Sequence, residues 1–182
     1  MIRTIGHGTR AVEELIALLR AHGVAQLVDV RTLPRSRRNP QFGREALAER
    51  LAIARLAYVH MPGLGGLRKA RADSVNLGWR NAGFRGYADY METPEFARSL
   101  EALVELAQRT PTAIMCAETV PWRCHRSLIA DALTARGIAV EHILTAGRAA
   151  PHVLTAFAAV EGPRVTYPPH RRPPATAEAS DE

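Results

Sequence analysis

Residues 114–126 have the sequence IMCAETVPWRCHR, and this stretch decides the fold. The apolar run over residues 112–116 predicts a short buried strand that ends at Cys116. A loop with Glu118 and Trp122 follows, and a helix is then expected to begin near Cys124. The face that this helix turns inward would consist of Leu128, Ile129, Ala132 and Leu133. A buried strand followed by an amphipathic helix is the building unit of α/β folds.

The two cysteines of the chain stand at the two ends of the predicted loop. Cys124 is expected where unpaired backbone N–H groups and the positive end of a helix dipole favour a thiolate. The adjacent His125 and Arg126 add positive charge. We therefore predict Cys124 as a nucleophile or an anion-site residue, with packing in the first helical turn as the alternative. For Cys116 the favoured interpretation is a small apolar residue at a buried strand end, because free cysteines are often buried.

The composition is that of a globular protein with one domain. Of its 182 residues, 47% are apolar and 23% are charged. No run approaches the ~20 apolar residues of a membrane span, and the amino terminus lacks the pattern of a signal peptide, so we expect a cytoplasmic protein without membrane contact. In that reducing compartment both cysteines are expected to be free. A net charge of +6 and a pI near 10.1 favour an anionic partner, either a small molecule or a nucleic acid.

Working outward from residues 114–126, apolar strands and amphipathic helices alternate along the chain. Strands are predicted over residues 1–6, 26–30, 58–60, 112–116 and 138–143. Helices are predicted after residue 12, over residues 43–56, 84–91 and 93–109, and again over residues 152–160. This alternation predicts a single three-layer α/β domain over residues 1–160, with a mostly parallel sheet covered by helices on both faces. Residues 161–182 are predicted to be a flexible tail, because their proline and small polar residues cannot build a core.

Polar side chains follow the predicted strands at the points where they end. His7 follows the first strand, Asp29 and Arg31 end the second, and Cys116 and Glu118 stand at the end of the fourth. Parallel sheets bind ligands outside the carboxyl ends of their strands, so we expect these residues to converge on one site. Asp29, Glu118 or His7 would move protons there. The alternatives are an ion pair between Asp29 and Arg31, a backbone hydrogen bond for His7 and a buried arginine partner for Glu118.

Two irregular segments are rich in arginine. The first contains Arg35, Arg37 and Arg38 between two prolines, and guanidinium groups suit bidentate contacts with phosphate. The second covers residues 62–83, and a loop of that length is typically a lid or a binding loop. It lacks the lysine of a Walker loop, and its glycines do not fit a dinucleotide fingerprint, so we exclude both nucleotide-binding motifs.

Several motifs, in order along the chain, resemble the domain-of-unknown-function 488 family. They are Ile5-Gly6-His7, Val28-Asp29-Val30-Arg31, Pro34-Arg35-Ser36-Arg37, Leu64-Gly65-Gly66, Tyr87 with Tyr90-Met91, Cys116-x-Glu118 and Cys124-His125-Arg126. The resemblance covers residues 2 to about 143. This chain has Gly8-Thr9 where the family often has serine. The resemblance implies a compact α/β domain with a polar site, and it implies no established reaction.

Neither a metal site nor a cofactor site is predicted. The spacing of Cys116, Cys124 and His125 matches no zinc finger or knuckle, and adjacent side chains rarely share one tetrahedral ion. The spacing from Cys116 to Arg123 is one residue longer than in phosphatase-type loops. Phosphatase or sulfurtransferase chemistry is therefore only an analogy.

These observations favour an enzyme, a cysteine-dependent transferase or hydrolase that binds an anionic, phosphate-bearing or nucleotide-like ligand. In this hypothesis Cys124 reacts, and Glu118, Asp29 and His7 assist it. The expected ligand-binding residues are Arg31, Arg35, Arg126, His125, Cys116 and Tyr87. The alternative is a module without catalysis, whose arginine-rich loops contact the backbone of a nucleic acid. The oligomeric state is not predicted.

Overall fold

The computed structural model of the chain describes residues 1–35 and 38–169. Within these residues, six strands form one sheet in the order β3-β2-β4-β1-β5-β6. Their bounds are Ile2–Gly6 (β1), Gln26–Asp29 (β2), Ala57–His60 (β3), Thr112–Cys116 (β4), Val140–Thr145 (β5) and Arg148–Pro151 (β6). Strands β1 to β5 pair in parallel, and β6 pairs with β5 in the antiparallel direction. The strand from the deciding stretch, β4, therefore lies inside the sheet between β2 and β1.

Five α-helices of the described chain cover both faces of this sheet. They are Val12–Ala21 (α1), Arg44–Ile53 (α2), Ala82–Met91 (α3), Pro94–Arg109 (α4) and Arg126–Thr134 (α5). Helices α1 and α2 pack on one face, and α3, α4 and α5 pack on the other. Strand β4 serves both layers, because Ile114 belongs to one core and its neighbours Ala113 and Met115 to the other. The predicted α/β architecture with a mostly parallel sheet is confirmed.

Local sequence accounts for the position of α4. Thr93 caps this helix by accepting a hydrogen bond from the Phe96 N–H at 3.3 Å, and Pro94 occupies its first position. The buried side chains of α4 recur at helical spacing and are Phe96, Leu100 and Leu103. None of the five helices, as far as the chain is described, has the length and apolar character that crossing a bilayer requires.

The turn before α5 sets the position of the cysteine that sequence analysis places at its start. Residues Pro121–Arg123 form a 3-10 turn, and Cys124 follows with an extended backbone at φ −130° and ψ 145°. His125 occupies the position before the helix without a capping bond from its side chain, and the helix begins at Arg126. The side chains of Cys124 and His125 thus belong to the turn that leads into α5, close to its predicted beginning.

The segment after β6 differs from the predicted helix over residues 152–160. Residues 152–158 form neither a helix nor a strand. A hairpin of Ala159–Glu161 (β7) and Arg164–Thr166 (β8) follows them. The helix prediction is wrong because tertiary bonds override local pattern: the carboxylate of Asp131 accepts hydrogen bonds from the Thr155 backbone N–H at 3.0 Å and from its hydroxyl at 2.7 Å. Packed structure also continues past residue 160, where the tail was expected to begin, since Tyr167 is fully buried. Residues 170–182 of that expected tail lie outside the described residues.

The long segment over residues 62–83 packs against α3. The carboxylate of Asp89 accepts hydrogen bonds from the Ser74 hydroxyl at 2.6 Å, the Asn76 amide at 2.8 Å and the Arg71 backbone N–H at 2.8 Å. The Asn76 side chain in turn accepts a bond from the backbone N–H of Tyr167 at 2.8 Å. One buried carboxylate therefore fixes the loop and the carboxyl-terminal hairpin to the same helix.

Candidate functional site

A cavity of about 570 Å³ opens at the carboxyl ends of the parallel strands. It is bounded by the ends of β1, β2 and β4 and by residues from the loops that follow them. Six of the ten residues predicted for the site line it: His7, Arg31, Arg35, Cys116, Glu118 and His125. The other four, Asp29, Tyr87, Cys124 and Arg126, lie behind its wall. A larger cavity of about 770 Å³ lies beside α4 at the amino end of β1, and neither a thiol nor an imidazole lines it.

The close approach of two strand ends forms the floor of this site. Gly6, the last residue of β1, is the register partner of Cys116 at the end of β4. A Cβ on Gly6 would collide with the carbonyl group of Glu118. Glycine at this position therefore allows residues 117–119 to fold across the end of β1 and to bring Cys116 beside His7.

An ion pair holds Arg31 in the cavity wall. Its Nε and Nη2 donate to the two carboxylate oxygens of Asp29 at 2.8 Å and 2.5 Å. Asp29 has no exposed surface and also accepts a bond from the Tyr58 hydroxyl at 2.8 Å. Burial disfavours the charge of Arg31, but the bonds to Asp29 outweigh this effect and raise its pKa. Asp29 is therefore placed to orient Arg31 rather than to reach a ligand.

His7 stands beside Arg31 as a neutral ring. Its Nδ1–H donates to the carbonyl oxygen of Gly8 at 2.8 Å, and its Nε2 lies 3.3 Å from Nη1 of Arg31. Burial lowers the pKa of His7, although the Gly8 bond works in the other direction. The ring stacks on Phe42 with the ring centroids 4.1 Å apart. The Nη1 group of Arg31 and the imidazole of His7 thus form one polar patch in the cavity.

The two thiols and the imidazole of His125 form a compact cluster. The Sγ of Cys116 lies 3.9 Å from Nδ1 of His125, and the Sγ of Cys124 lies 3.7 Å from the same atom. The three atoms are all within 4.8 Å of one another, so these side chains can together hold a metal ion. Cys124 is 4% exposed, whereas Cys116 is half-buried and faces the cavity. The loop brings together three side chains, two thiols and one imidazole, that sequence spacing did not predict as a metal-binding group.

The pKa values of the two thiols are shifted in opposite directions. The neighbouring Cys116 thiol lowers the pKa of Cys124, against the effect of burial, and His125 and Arg126 lower it further. The neighbouring Cys124 thiol, together with burial, raises the pKa of Cys116. The Nε–H of Arg126 donates to the Sγ of Cys124 at 3.3 Å, and this contact favours negative charge on that sulfur.

A chain of buried hydrogen bonds runs from Arg126 to the far side of α5. The Arg126 Nη1 donates to the Thr4 hydroxyl at 3.2 Å, and that hydroxyl lies 2.8 Å from Nδ1 of His142. The Nε2 of His142 lies 3.0 Å from Nδ1 of His152, whose Nε2 lies 2.8 Å from a carboxylate oxygen of Asp131. A guanidinium only donates and a carboxylate only accepts. With both imidazole rings neutral, Thr4 therefore donates to His142, His142 donates to His152, and His152 donates to Asp131. This chain of bonds fixes the orientation of Arg126.

Sequence analysis missed the four residues that follow Arg126 in this chain of bonds, Thr4, His142, His152 and Asp131. Two of these residues could have been recognised in the sequence, because Thr4 and His142 are polar residues next to apolar ones in β1 and β5. In the parallel ladder Thr4 is the register partner of His142, and both are buried. A polar pair at inward positions of two central strands requires a buried partner, and in this fold the partner is Arg126. His152 and Asp131 give no such signal, since the helix predicted over residues 152–160 would have placed His152 elsewhere.

The remaining predicted residues have different surroundings. Tyr87 is fully buried, donates its hydroxyl to the Leu64 carbonyl at 2.8 Å, and packs its ring 5.0 Å from that of His125. Glu118 is exposed at the cavity, with one carboxylate oxygen 3.1 Å from the Val120 backbone N–H. Arg35 is exposed at the rim. Of the other two arginines of this loop, Arg38 is exposed, and Arg37 lies outside the described residues.

Together, the fold and the site define a three-layer α/β protein with a cysteine–histidine cluster at the carboxyl edge of its parallel sheet. A family model described as "Domain of unknown function DUF488" matches residues 11–133. The chain belongs to this family, and the resemblance of its motifs is confirmed. The match includes β4, the loop with both cysteines and most of α5. The comparisons with curated proteins and with solved structures find no match.

Proposed function

We propose that the protein is a cysteine-dependent enzyme, a transferase or hydrolase acting on an anionic small molecule in the 570 Å³ cavity. One observation carries this proposal: the Cys116 thiol faces the cavity, and directly behind it the Cys124 sulfur accepts a bond from Arg126 at 3.3 Å. A nucleophile that faces the ligand cavity beside a fixed proton acceptor is the arrangement that nucleophilic catalysis needs. The sequence-based hypothesis made Cys124 the reacting sulfur and gave the proton transfers to Asp29, Glu118 or His7. We now assign the attack to Cys116 and the uptake of its proton to Cys124.

In the proposed first step the Cys116 sulfur attacks an electrophilic centre of the ligand. The S–H proton passes to the Cys124 thiolate as the new bond from sulfur to the transferred group forms. The bond to the leaving group breaks with its electron pair, and Glu118, when protonated, supplies the proton that this group needs. In the second step water or another acceptor attacks the transferred group and gives its proton to the Glu118 carboxylate, and Cys116 leaves as a thiolate that recovers its proton from Cys124.

The charges around the cavity support a phosphate-bearing or nucleotide-like ligand. Arg31 presents Nη1 next to the neutral imidazole of His7, and Arg35 adds a positive charge at the rim. A terminal phosphate placed between Arg31 and Arg35 would receive bonds from both guanidinium groups. Asp29 remains bonded to the opposite edge of Arg31 and therefore holds the donor in position.

Contacts of the second arginine-rich segment give the nucleic-acid alternative less support. Arg68 donates to the Gly65 carbonyl and stacks 3.5 Å from the ring centroid of Tyr90. Arg71 pairs with Asp73 and Glu92. Both guanidinium groups are thus engaged within the chain, which leaves fewer of them for a continuous phosphate-binding surface.

Alkylation kinetics of the reduced, metal-free protein test this proposal. We expect iodoacetamide at neutral pH to modify Cys116 despite the raised pKa of its thiol, because the Cys124 thiolate can take up the proton, and millimolar phosphate or nucleotide to slow the reaction. The variant Cys124→Ser should slow alkylation of Cys116 on the order of 100-fold, since the proton acceptor is lost. Replacement of Arg35 by Ala should weaken protection by phosphate, while Arg98→Ala on the exposed face of α4 serves as the matched control. A Cys116 thiol that is alkylated at the same rate in Cys124→Ser and in the wild type would refute the proposal.

The proposed setting is the cytoplasm. Reducing conditions there keep both thiols free, as the mechanism requires. Cell fractionation combined with thiol labelling before lysis checks this point. Recovery of the protein in an oxidising compartment with both cysteines blocked would contradict it.

A further inference from the structure

We infer that Cys116, Cys124 and His125 form a binding site for a thiophilic d¹⁰ cation, Zn²⁺ in the first instance, with one coordination position open to the cavity. The inference goes beyond the proposed enzyme function and does not depend on it. It stands on the geometry of three ligand atoms, on the groups that orient them and on their access to the cavity.

The distances among the ligand atoms suit such an ion. With Zn–S near 2.3 Å and Zn–N near 2.0–2.1 Å, a tetrahedral or trigonal angle places sulfur and nitrogen about 3.6–3.8 Å apart. The two observed distances from sulfur to Nδ1 of His125 are 3.7 Å and 3.9 Å. All three ligand atoms are within 4.8 Å of one another, so the two sulfurs need to approach by no more than about 1 Å to share one ion.

The imidazole of His125 already has the orientation of a metal ligand. Its Nε2 lies 3.3 Å from the carbonyl oxygen of Val30, which can only accept, so this nitrogen carries the proton. When a metal ion replaces any proton on Nδ1, the lone pair of that nitrogen points towards both sulfurs. Histidines that bind metals usually donate their second N–H to a carbonyl or carboxylate in this way.

Gly66 lets the backbone approach the face of the His125 ring at Nδ1. A Cβ at this position would lie 3.1 Å from Nδ1 and 3.5 Å from each of the two ring carbons bonded to it, which is above the ring and not in its plane. The ring of Tyr87 also packs against the imidazole, with the ring centroids 5.0 Å apart. These contacts hold the ring so that the sulfurs lie near Nδ1.

The charges and the access of the cluster fit a zinc ion with a fourth, exchangeable ligand. Two thiolates balance the charge of Zn²⁺, and the Arg126 Nε–H at 3.3 Å from Cys124 provides an outer hydrogen bond to one of them. Cys116 and His125 both line the cavity, so a water molecule or an anionic ligand can occupy the fourth position. Three protein ligands with one open position are typical of zinc sites that exchange a ligand.

A bound ion and the thiol chemistry exclude each other. Coordination uses the sulfur lone pairs with which Cys116 would attack and Cys124 would accept a proton. Zinc should therefore protect both cysteines from iodoacetamide, and a chelator should restore their reactivity.

Titration of the reduced full-length protein with Co²⁺, a spectroscopic substitute for Zn²⁺, tests the inference. We expect one ion per chain, a thiolate-to-cobalt charge-transfer band, the intense visible bands of four-coordinate cobalt, and their loss when Zn²⁺ is added. His125→Ala and Cys124→Ser should each lower the affinity by at least about 100-fold, whereas His22→Ala, a histidine remote from the cluster, should leave it unchanged. Gly66→Ala, which keeps all three ligands, should weaken binding by displacing the His125 ring, because the added Cβ would lie 3.1 Å from Nδ1.

The two proposals fail separately. A protein that gives no charge-transfer band, or that binds cobalt equally well in His125→Ala and Cys124→Ser, would overturn the metal site, whatever the metal-free thiol reactivity proves to be. Tight binding of cobalt, together with metal-free alkylation of Cys116 at the same rate in Cys124→Ser and in the wild type, would leave the metal site standing and refute the cysteine-dependent enzyme.

Discussion

Thr4 and His142 face each other across the neighbouring strands β1 and β5, with the Thr4 hydroxyl 2.8 Å from Nδ1 of the imidazole. The same hydroxyl receives the Nη1–H of Arg126 at 3.2 Å. Thr4 thus connects the guanidinium of Arg126, which lies beside Cys124, to His142. From there the hydrogen bonds continue through His152 to Asp131.

Thr4→Val should preserve the shape of β1 and remove the hydroxyl. The Nη1 of Arg126 would lose its acceptor and Nδ1 of His142 its donor, at a cost of about 1–3 kcal/mol in the free energy of unfolding. Because Arg126 would be less well oriented, alkylation of Cys116 should slow by roughly 10-fold. Thr112→Val is the matched control, since the Thr112 hydroxyl is also buried but bonds Gln26 and the Thr110 carbonyl. Equal loss of thiol reactivity in both variants would contradict the connection.

Arg126→Lys should disturb the thiol pair more strongly. One ammonium group cannot replace three separate contacts, which the guanidinium makes to the Cys124 sulfur, the Thr4 hydroxyl and the Glu118 carbonyl. We expect a loss of about 2–4 kcal/mol in unfolding free energy and alkylation at least ~10-fold slower. Arg123→Lys, an exposed change in the turn before α5, should alter neither. Wild-type alkylation kinetics in a folded Arg126→Lys protein would show that the guanidinium does not hold the thiolate.

Stability should rise with pH across the range in which His142 titrates. Burial, followed by the charges of His152 and Arg126, lowers the pKa of His142 from 6.5 to about 4. The unfolded chain therefore binds more protons than the folded chain between these values. The stabilising contribution is complete above pH 6.5 and is lost as the pH falls towards 4, with a magnitude of about 3 kcal/mol.

Urea unfolding from pH 4 to pH 8 measures this contribution. His7, whose pKa burial also lowers, adds to the same trend, so the informative quantity is the difference between the wild type and His142→Gln. We expect the variant to have the flatter dependence on pH. Parallel curves for the two proteins would mean that His142 is not a buried neutral ring.

Tyr167→Phe should weaken the attachment of the carboxyl-terminal hairpin. The Tyr167 hydroxyl donates to a carboxylate oxygen of Asp131 at 2.8 Å, and the ring is fully buried. Loss of a buried bond to a charged acceptor should cost about 1.5–3 kcal/mol in unfolding free energy. Tyr90→Phe provides the comparison, because its hydroxyl donates to the Gly63 carbonyl in a partly buried position. A Tyr167→Phe protein as stable as the wild type would indicate that Asp131 is satisfied without it.

Sequence pattern predicted the elements that local physics determines. The apolar run at residues 112–116 became β4, and Thr93 with Pro94 marked the start of α4 to the residue. The convergence of His7, Arg31, Cys116 and Glu118 also follows from sequence, because parallel strands end at one edge of the sheet. Apolar periodicity and helix capping depend on residues a few positions apart, so both can be recognised in the sequence alone.

The errors concern residues whose partners are distant in sequence. Residues 152–160 do not form a helix, because Asp131 on α5 holds Thr155 and His152 in an extended turn. The grouping of Cys116 with Cys124 and His125 depends on the 3-10 turn Pro121–Arg123, which folds the loop back on the end of β4. The spacing of the residues in the sequence does not predict that turn.

Gly6 has a consequence for how mutational data on this protein would look. Any larger residue at position 6 would displace the Glu118 carbonyl. That displacement would break the hydrogen bond from Arg126 to this carbonyl and change the shape of the cavity opening. A deep mutational scan scored by activity should therefore rank position 6 among the most intolerant in the chain, although this residue has no side chain with which to touch a substrate.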